Sequence, residues 1–204
     1  MNPEQSEKSP SMRSPLEALV PPNRELRTCF EELSPPSGNE IDALAQIYAR
    51  AFSGPPWFEK WTAALGREEI LTLLEPEGLI TVLRLQNEIS AFAIGTTWKK
   101  VKDQAFMMQL GVPQGSFYLA EFAVEDTLRG FGLGRSILEE FDRTLSKRSV
   151  RNLFTRTRTD NIAAIRAFQR IGMQEIGRVQ VDTGGVVSDR VVYLKSIPNC
   201  APGL

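Results

Sequence analysis

The stretch Ser116-Phe117-Tyr118-Leu119-Ala120-Glu121-Phe122-Ala123-Val124, followed by Glu125-Asp126-Thr127-Leu128-Arg129-Gly130-Phe131-Gly132-Leu133-Gly134-Arg135 and a run on to Arg143, sets how this chain is understood. Phe117 to Val124 is a short apolar, aromatic-rich run interrupted by Glu121, which suits a central strand. Leu133, Ile137, Leu138, Phe141 and Leu145 then recur at helical spacing, so the period switches from strand to helix across the glycines. The first N–H groups of a helix lack intrahelical partners and converge on one spot. With the positive end of the helix dipole they make an anion site, usually for phosphate. Gly130, Gly132 and Gly134 permit close approach to the backbone, and Arg129 adds a charge beside them.

Around this stretch, the 204 residues suffice for one well-filled core, with 1–22 read as a Ser-, Pro-, Glu- and Gln-containing flexible tail and 23–204 as one domain. Hydrophobic content of 42%, charged content of 24% and a net charge of −1 are ordinary for a globular protein and give no general pull toward nucleic acid or a membrane surface. Arginines cluster in the second half, either on solvated helix faces or beside the phosphates of a cofactor. Histidine is absent, which removes imidazole bases, His-dependent triads and the common zinc sites, so no metal is expected. Cys29 and Cys200, one near each end, form no disulfide or metal pattern. With no signal pattern and no long apolar run, the expected compartment is the cytoplasm.

Arg24 to Leu33 reads as a first strand, and Asn39, with Asp42 behind it, as the N-cap of an amphipathic helix ending at Ser53-Gly54-Pro55-Pro56. Trp57, Phe58 and Trp61 either close the core or form an acceptor-binding lip. A short helix is expected over Arg67 to Leu74. Leu79 to Leu85 and Ile89 to Thr97 are strands joined by a hairpin turn, and Ala105 to Leu110 is a short helix inside a polar segment. Asn152 to Thr157 is a strand, with Thr155 to Arg158 alternating as if one face lined something. A last helix opens at Asp160 or Asn161 and closes at Gly172. Gln174 to Val181 and Val186 to Leu194 complete a mixed sheet with helices on both faces, an α/β or α+β fold.

The glycine turn lacks the Gly-Lys-Ser/Thr ending of a Walker loop, and its spacing fails the dinucleotide fingerprint of an oxidoreductase. Arg129-x-x-Gly132-x-Gly134 after a strand ending in Val124 instead resembles the pyrophosphate loop of the GNAT N-acetyltransferases. Asn161-x-x-Ala164-x-x-x-Phe168-x-x-x-Gly172-Met173 resembles the segment of that family that lines the pantetheine arm. The likeness spans roughly 39–194.

It implies a GNAT-like acyl-CoA N-acyltransferase fold, with a mostly antiparallel sheet of six to seven strands. It also implies acetyl transfer from acetyl-CoA to a primary amine of a small molecule, peptide or protein. By this resemblance the backbone of Phe122 and Val124, flanking Ala123, bonds the pantetheine amides. Arg129, Gly130, Phe131, Gly132, Leu133, Gly134, Arg135 and Ser136 surround the pyrophosphate. Asn161 meets the pantetheine, and Ala164 and Phe168 wall the thioester end. Phe168 stands where most members carry a proton-donating Tyr, and Met173 where an aromatic is usual.

Losing a general acid typically costs about a hundred- to ten-thousandfold, but a thiolate of parent pKa near 8.5 is a fair leaving group. Phe168 also motivates an alternative, a non-catalytic acyl-CoA-binding sensor or interaction module. Glu121 is the candidate general base: a carboxyl on an apolar strand must find a partner or carry a raised pKa. A structural role, bonded to a backbone group or an arginine, is the competing account. Strict alternation puts Glu121 on one face with Phe117, Leu119 and Ala123, and Tyr118 on the other. The Lys99 to Gln114 segment and the Trp57 to Trp61 aromatics are expected to shape the acceptor pocket.

Overall fold

The computed structural model describes residues 27–75, 77–183 and 186–198. The expected tail, the start of the first strand and the tip of the last hairpin lie outside them. The elements in chain order are β1 Thr28–Glu32, α1 Gly38–Ser53, α2 Ala63–Leu74, β2 Leu79–Leu85, β3 Glu88–Thr96, α3 Gln104–Gln109, β4 Phe117–Val124, α4 Leu133–Lys147, β5 Asn152–Arg158, α5 Ile162–Arg170, β6 Gln174–Thr183 and β7 Val186–Ser196.

They form a seven-stranded sheet of order β1-β2-β3-β4-β5-β7-β6, antiparallel throughout except for the parallel β4–β5 pair. This is the expected mixed sheet with helices on both faces. One core packs α4 and α5 over Leu79, Ala91, Phe117, Leu119, Leu153 and Tyr193. The opposite face packs α1 over Ile80, Val82, Phe92, Ile94 and Ala123, and α3 contributes Met107 to a cluster with Phe154 and Val192. β2 and β3 are buried almost end to end because both of their faces are covered. Exposed β1 forms an edge of the sheet.

Local chemistry corrects two helix starts. The cap of α1 is Ser37 rather than Asn39. The Glu40 N–H donates to Ser37 Oγ at 3.4 Å, and the Glu40 carboxylate accepts from the Ser37 N–H at 2.8 Å, which is a capping box. The second helix starts at Ala63 rather than Arg67, because Thr62 Oγ1 accepts from the Leu65 N–H at 3.2 Å. Gln86 and Asn87, with φ of 52° and 74°, make the tight β2–β3 hairpin expected of a two-residue turn. No helix among the described residues is long and apolar enough to cross a membrane.

Two irregularities in β4 position the site. First, the β3–β4 register shifts between Ile94 and Gly95: Ile94 faces Glu121 while Gly95 faces Leu119, so Ala120 is a bulge. A bulge reverses the side-chain alternation beyond it. Phe117 and Leu119 face α4, but Glu121 and Ala123 face α1. Strict alternation therefore misplaces Glu121: it lies opposite Phe117 and Leu119, and on the same face as Tyr118. Gly95 permits the irregularity, since a Cβ there would lie 2.5 Å from Phe117 Cε1 and 2.8 Å from Phe141 Cζ. Second, β4 and β5 pair only at Phe117–Leu153 and Tyr118–Phe154. Thr155 Oγ1 closes the fork by donating to the buried Leu119 carbonyl at 2.9 Å, and beyond it the strands part.

Candidate active site

The parted strands leave one edge of β4 without a neighbour. The Glu125 N–H donates to the carbonyl of Ser90 in β3, so the backbone polar groups of Val124 and Phe122 turn the other way, toward the gap. The chain then passes through a 3-10 turn at Asp126–Leu128 into Gly130 and Gly132, with φ of 86° and 85°. Gly132 caps α4 in the left-handed conformation. A Cβ on Gly130 or Gly132 would meet nothing within 4 Å, so both face open space. The N–H groups of Phe131, Gly132, Leu133 and Gly134 donate to no acceptor among the described residues. Open space, free N–H groups and the α4 dipole together fit an extended diphosphate. Arg129 is paired with Asp126 at 2.6 Å and Arg135 with Glu139 at 2.7 Å, so each charge is steadied beside the turn.

On the far side of the gap stands α5. Asn161 is its N-cap: Oδ1 accepts from the Ala164 N–H at 3.3 Å, and Nδ2 donates to Thr157 Oγ1 at 3.2 Å. Phe168 is buried, with its ring 5.4 Å from that of Phe122 and 5.7 Å from that of Tyr193. A cavity of about 740 Å³ joins these parts. It runs from Arg129, Gly130, Gly132, Leu133, Gly134 and Arg135, along Glu121 to Val124, to Asn161, Ala164 and Phe168. Of the residues singled out in the sequence, Phe131 and Ser136 do not line it. Phe131 packs against the α4 core, and Ser136 Oγ lies 3.5 Å from the Gly132 carbonyl.

The inner end of the cavity is walled by Tyr48, Trp57, Glu59, Trp61, Glu69, Tyr118, Arg156 and Arg190 around Glu121. Burial, reinforced by Glu69 and Glu59, pushes the Glu121 carboxyl up to about 8, against the opposing influence of Arg190 and a hydrogen bond from Tyr48. Tyr48, on α1, is itself held protonated by burial and by the nearby carboxylates. Such a carboxyl titrates near neutrality, where it can accept a proton and pass it on. A smaller cavity of about 210 Å³ meets the same wall from Lys100, Val101, Lys102 and Met107, so the Lys99–Gln114 segment does reach this region. Trp57 and Trp61 both pack on the α1 core and line the cavity, whereas Phe58 is exposed.

Sequence reasoning missed Tyr48, Glu59, Glu69 and Arg190. Tyr48 sits within an apolar helical stripe, and Arg190 precedes the apolar run Val191 to Leu194, so neither advertises a polar role. Only the Thr155–Arg158 alternation hinted at Arg156.

The GNAT acetyltransferase family model matches residues 41–173. A comparison with curated proteins gives no match. Among solved structures, the fold is similar to the ribosomal-protein-S18-alanine N-acetyltransferase of Escherichia coli. That pair has a TM-score of 0.63 and 22% identity, over 87% of this chain and 99% of the other. It is similar too to the ribosomal-protein-alanine N-acetyltransferase of Brucella melitensis, with a TM-score of 0.64 and 17% identity over 82% and 99% of the two chains. A third is a Salmonella typhimurium structure assigned as an acetyltransferase and solved with acetyl-CoA, at TM-score 0.63 and 12% identity over 86% and 98%. At these identities the structural neighbours speak for the fold alone, while the family match covers most of the chain. The chain belongs to the GNAT acetyltransferase family and is an acyltransferase.

Proposed function

We propose that this acyltransferase moves the acetyl group of acetyl-CoA onto a primary amine, with Glu121 as the general base, in the cytoplasm. The observation that carries this reading is the position of Glu121. It is a carboxyl with its pKa raised to about 8, on the cavity wall next to the bare edge of β4.

Acetyl-CoA, when bound, supplies an acetyl carbon already activated as a thioester. The N–H groups of Phe131 to Gly134 and the α4 dipole hold its pyrophosphate, with Arg129 and Arg135 alongside. The backbone of Phe122 and Val124 bonds the pantetheine amides as an added strand would. Ala164 and Phe168 wall the thioester end. The side chain of Asn161 is engaged with Ala164 and Thr157, so its contribution is to fix α5 at the edge of the groove.

An amine arrives as ammonium and must lose a proton before it attacks. Glu121 accepts that proton, directly or through water. With a pKa of about 8, roughly one carboxyl in ten is ionised at pH 7, rising toward full ionisation above pH 9. Tyr48 stands beside the carboxyl and favours its ionised form. Phe168 has no proton to offer, so the sulfur departs as a thiolate, acceptable for a group with pKa near 8.5.

The same Phe168 favours a second reading, an acyl-CoA-binding module without turnover. Calorimetric titration with acetyl-CoA, beside amine-dependent release of free thiol, separates the two. Binding with amine-dependent release supports transfer. Binding without release for any amine of a broad panel supports the module and defeats the transferase reading.

A further inference from the structure

The inner end of the cavity carries charges of both signs. Glu121, Glu69 and Glu59 make an acidic side, with Glu59 accepting from Trp61 Nε1 at 2.6 Å. Arg156 and Arg190, from β5 and β7, make a basic side. The two arginines are not equivalent. Arg156 is 3.4 Å from Asp103, which matches its charge, and its guanidinium lies 5.9 Å from the centre of the Tyr118 ring. Arg190 lies with its guanidinium 4.7 Å from the centre of the Trp57 ring, and its Nε donates to Ser188 Oγ at 3.1 Å. It forms no ion pair with a carboxylate among the described residues.

A half-buried guanidinium with no directly bonded carboxylate is costly: burial lowers its pKa, and Arg156 adds to this, while Glu59 and Glu121 oppose it from a distance only in part. Arg190 lies over the Trp57 ring and lines the cavity, so its remaining N–H groups can donate a bidentate pair of hydrogen bonds to an anion there.

We propose that the acceptor is an amine that also bears a carboxylate or similar planar-fork anion, with Arg190 as the specificity-determining residue that binds that anion. This rests on the transferase reading above. The ammonium end lies against Glu121 and Glu69, and the anion on Arg190, so a zwitterion satisfies both sides of the pocket. A polyamine would satisfy the acidic side only and leave Arg190 unpaired. In the reaction the acceptor nitrogen forms a bond to the acetyl carbon as the carbon–sulfur bond breaks. The sulfur leaves with the electron pair; the first ammonium proton passes to Glu121, and the second, lost from nitrogen as the amide forms, passes to water and from there to the departing thiolate.

The test uses the full chain at saturating acetyl-CoA with matched acceptors. Alanine, phenylalanine and glutamate are each supplied as free acid, as α-amide and as the decarboxylated amine. Thiol release is followed, and acetyl-CoA binding is measured calorimetrically in the same samples. In at least one series the free acid is expected to exceed its amide and amine in kcat/KM by about tenfold to a hundredfold, as for a hydrogen-bonded charge. Arg190→Gln should raise KM for that acid by a similar factor and level the series, with acetyl-CoA affinity unchanged, and Arg190→Lys should restore part of the preference.

Amides or amines used as well as the acids, or a loss in Arg190→Gln that falls equally on all three, would overturn the acceptor assignment and leave transfer standing. Acetyl-CoA binding with no acceptor acetylated overturns the assignment and favours the module. Absence of acetyl-CoA binding overturns both.

Discussion

At Glu121 a carboxyl is held by the fold in its neutral form, and this has a consequence for stability as well as for catalysis. Its folded pKa of about 8 lies above the 4.5 of the unconstrained group. Between these values the native state keeps a proton that the unfolded chain has lost. Its contribution to stability therefore declines as pH rises from about 4.5 to about 8 and is flat on either side. A pKa difference of one between the folded and unfolded chain is worth about 1.4 kcal/mol. Glu121→Gln is thus expected to match wild type in urea midpoint at pH 4 and to exceed it at pH 8.5. Equal midpoints at both pH values would contradict the raised pKa. The Tyr48 hydrogen bond lowers the Glu121 pKa, so Tyr48→Phe should move the titration further upward, visible as a rate inflection at higher pH.

The entrance to α4 is where a whole element depends on one glycine. Gly132 ends the turn in a left-handed conformation that favours glycine, with open space where a side chain would project. Gly132→Ala should cost roughly 1–2 kcal/mol in strain and weaken acetyl-CoA binding, read as a lower melting temperature and a higher Kd. A loss of stability with unchanged affinity would show that the α4 entrance is only a corner. At the other face, Ser37→Ala removes the capping box of α1 and should cost about 1 kcal/mol by chemical denaturation.

Legibility differed by element. α4 is legible because its apolar stripe and its glycine entrance agree, whereas at α1 two cap formers, Ser37 and Asn39, stand two positions apart and only the structure selects Ser37. The bulge at Ala120 left no mark in β4 itself. Its trace is Gly95 on the facing strand, a small residue in an otherwise β-forming run. Without it, strict alternation puts Glu121 on the face of Leu119; with it, Glu121 shares a face with Tyr118.

For the molecule as a whole, the mixed sheet and the helices on its two faces followed from the order of periodic segments. The inner pocket did not. It is assembled from α1, the α1–α2 connection, α2, β4, β5 and β7, and contacts between residues so distant in the chain leave no spacing to read. The groove side, by contrast, lies in two local motifs, and most of their residues line one cavity.

A ligand that binds only the folded chain stabilises it by mass action. Acetyl-CoA at about one hundred times its Kd should therefore raise stability by about 2.7 kcal/mol, seen as a higher melting temperature. Whether Glu121 takes the proton from the acceptor amine is decided by the pH dependence of kcat/KM for wild type and Glu121→Gln with one good acceptor. The result expected is a wild-type rate rising through an inflection near the Glu121 value of about 8. Glu121→Gln should lose that inflection and about a hundred- to ten-thousandfold in rate, with acetyl-CoA binding intact. An inflection that persists unchanged in Glu121→Gln would rule Glu121 out as the base.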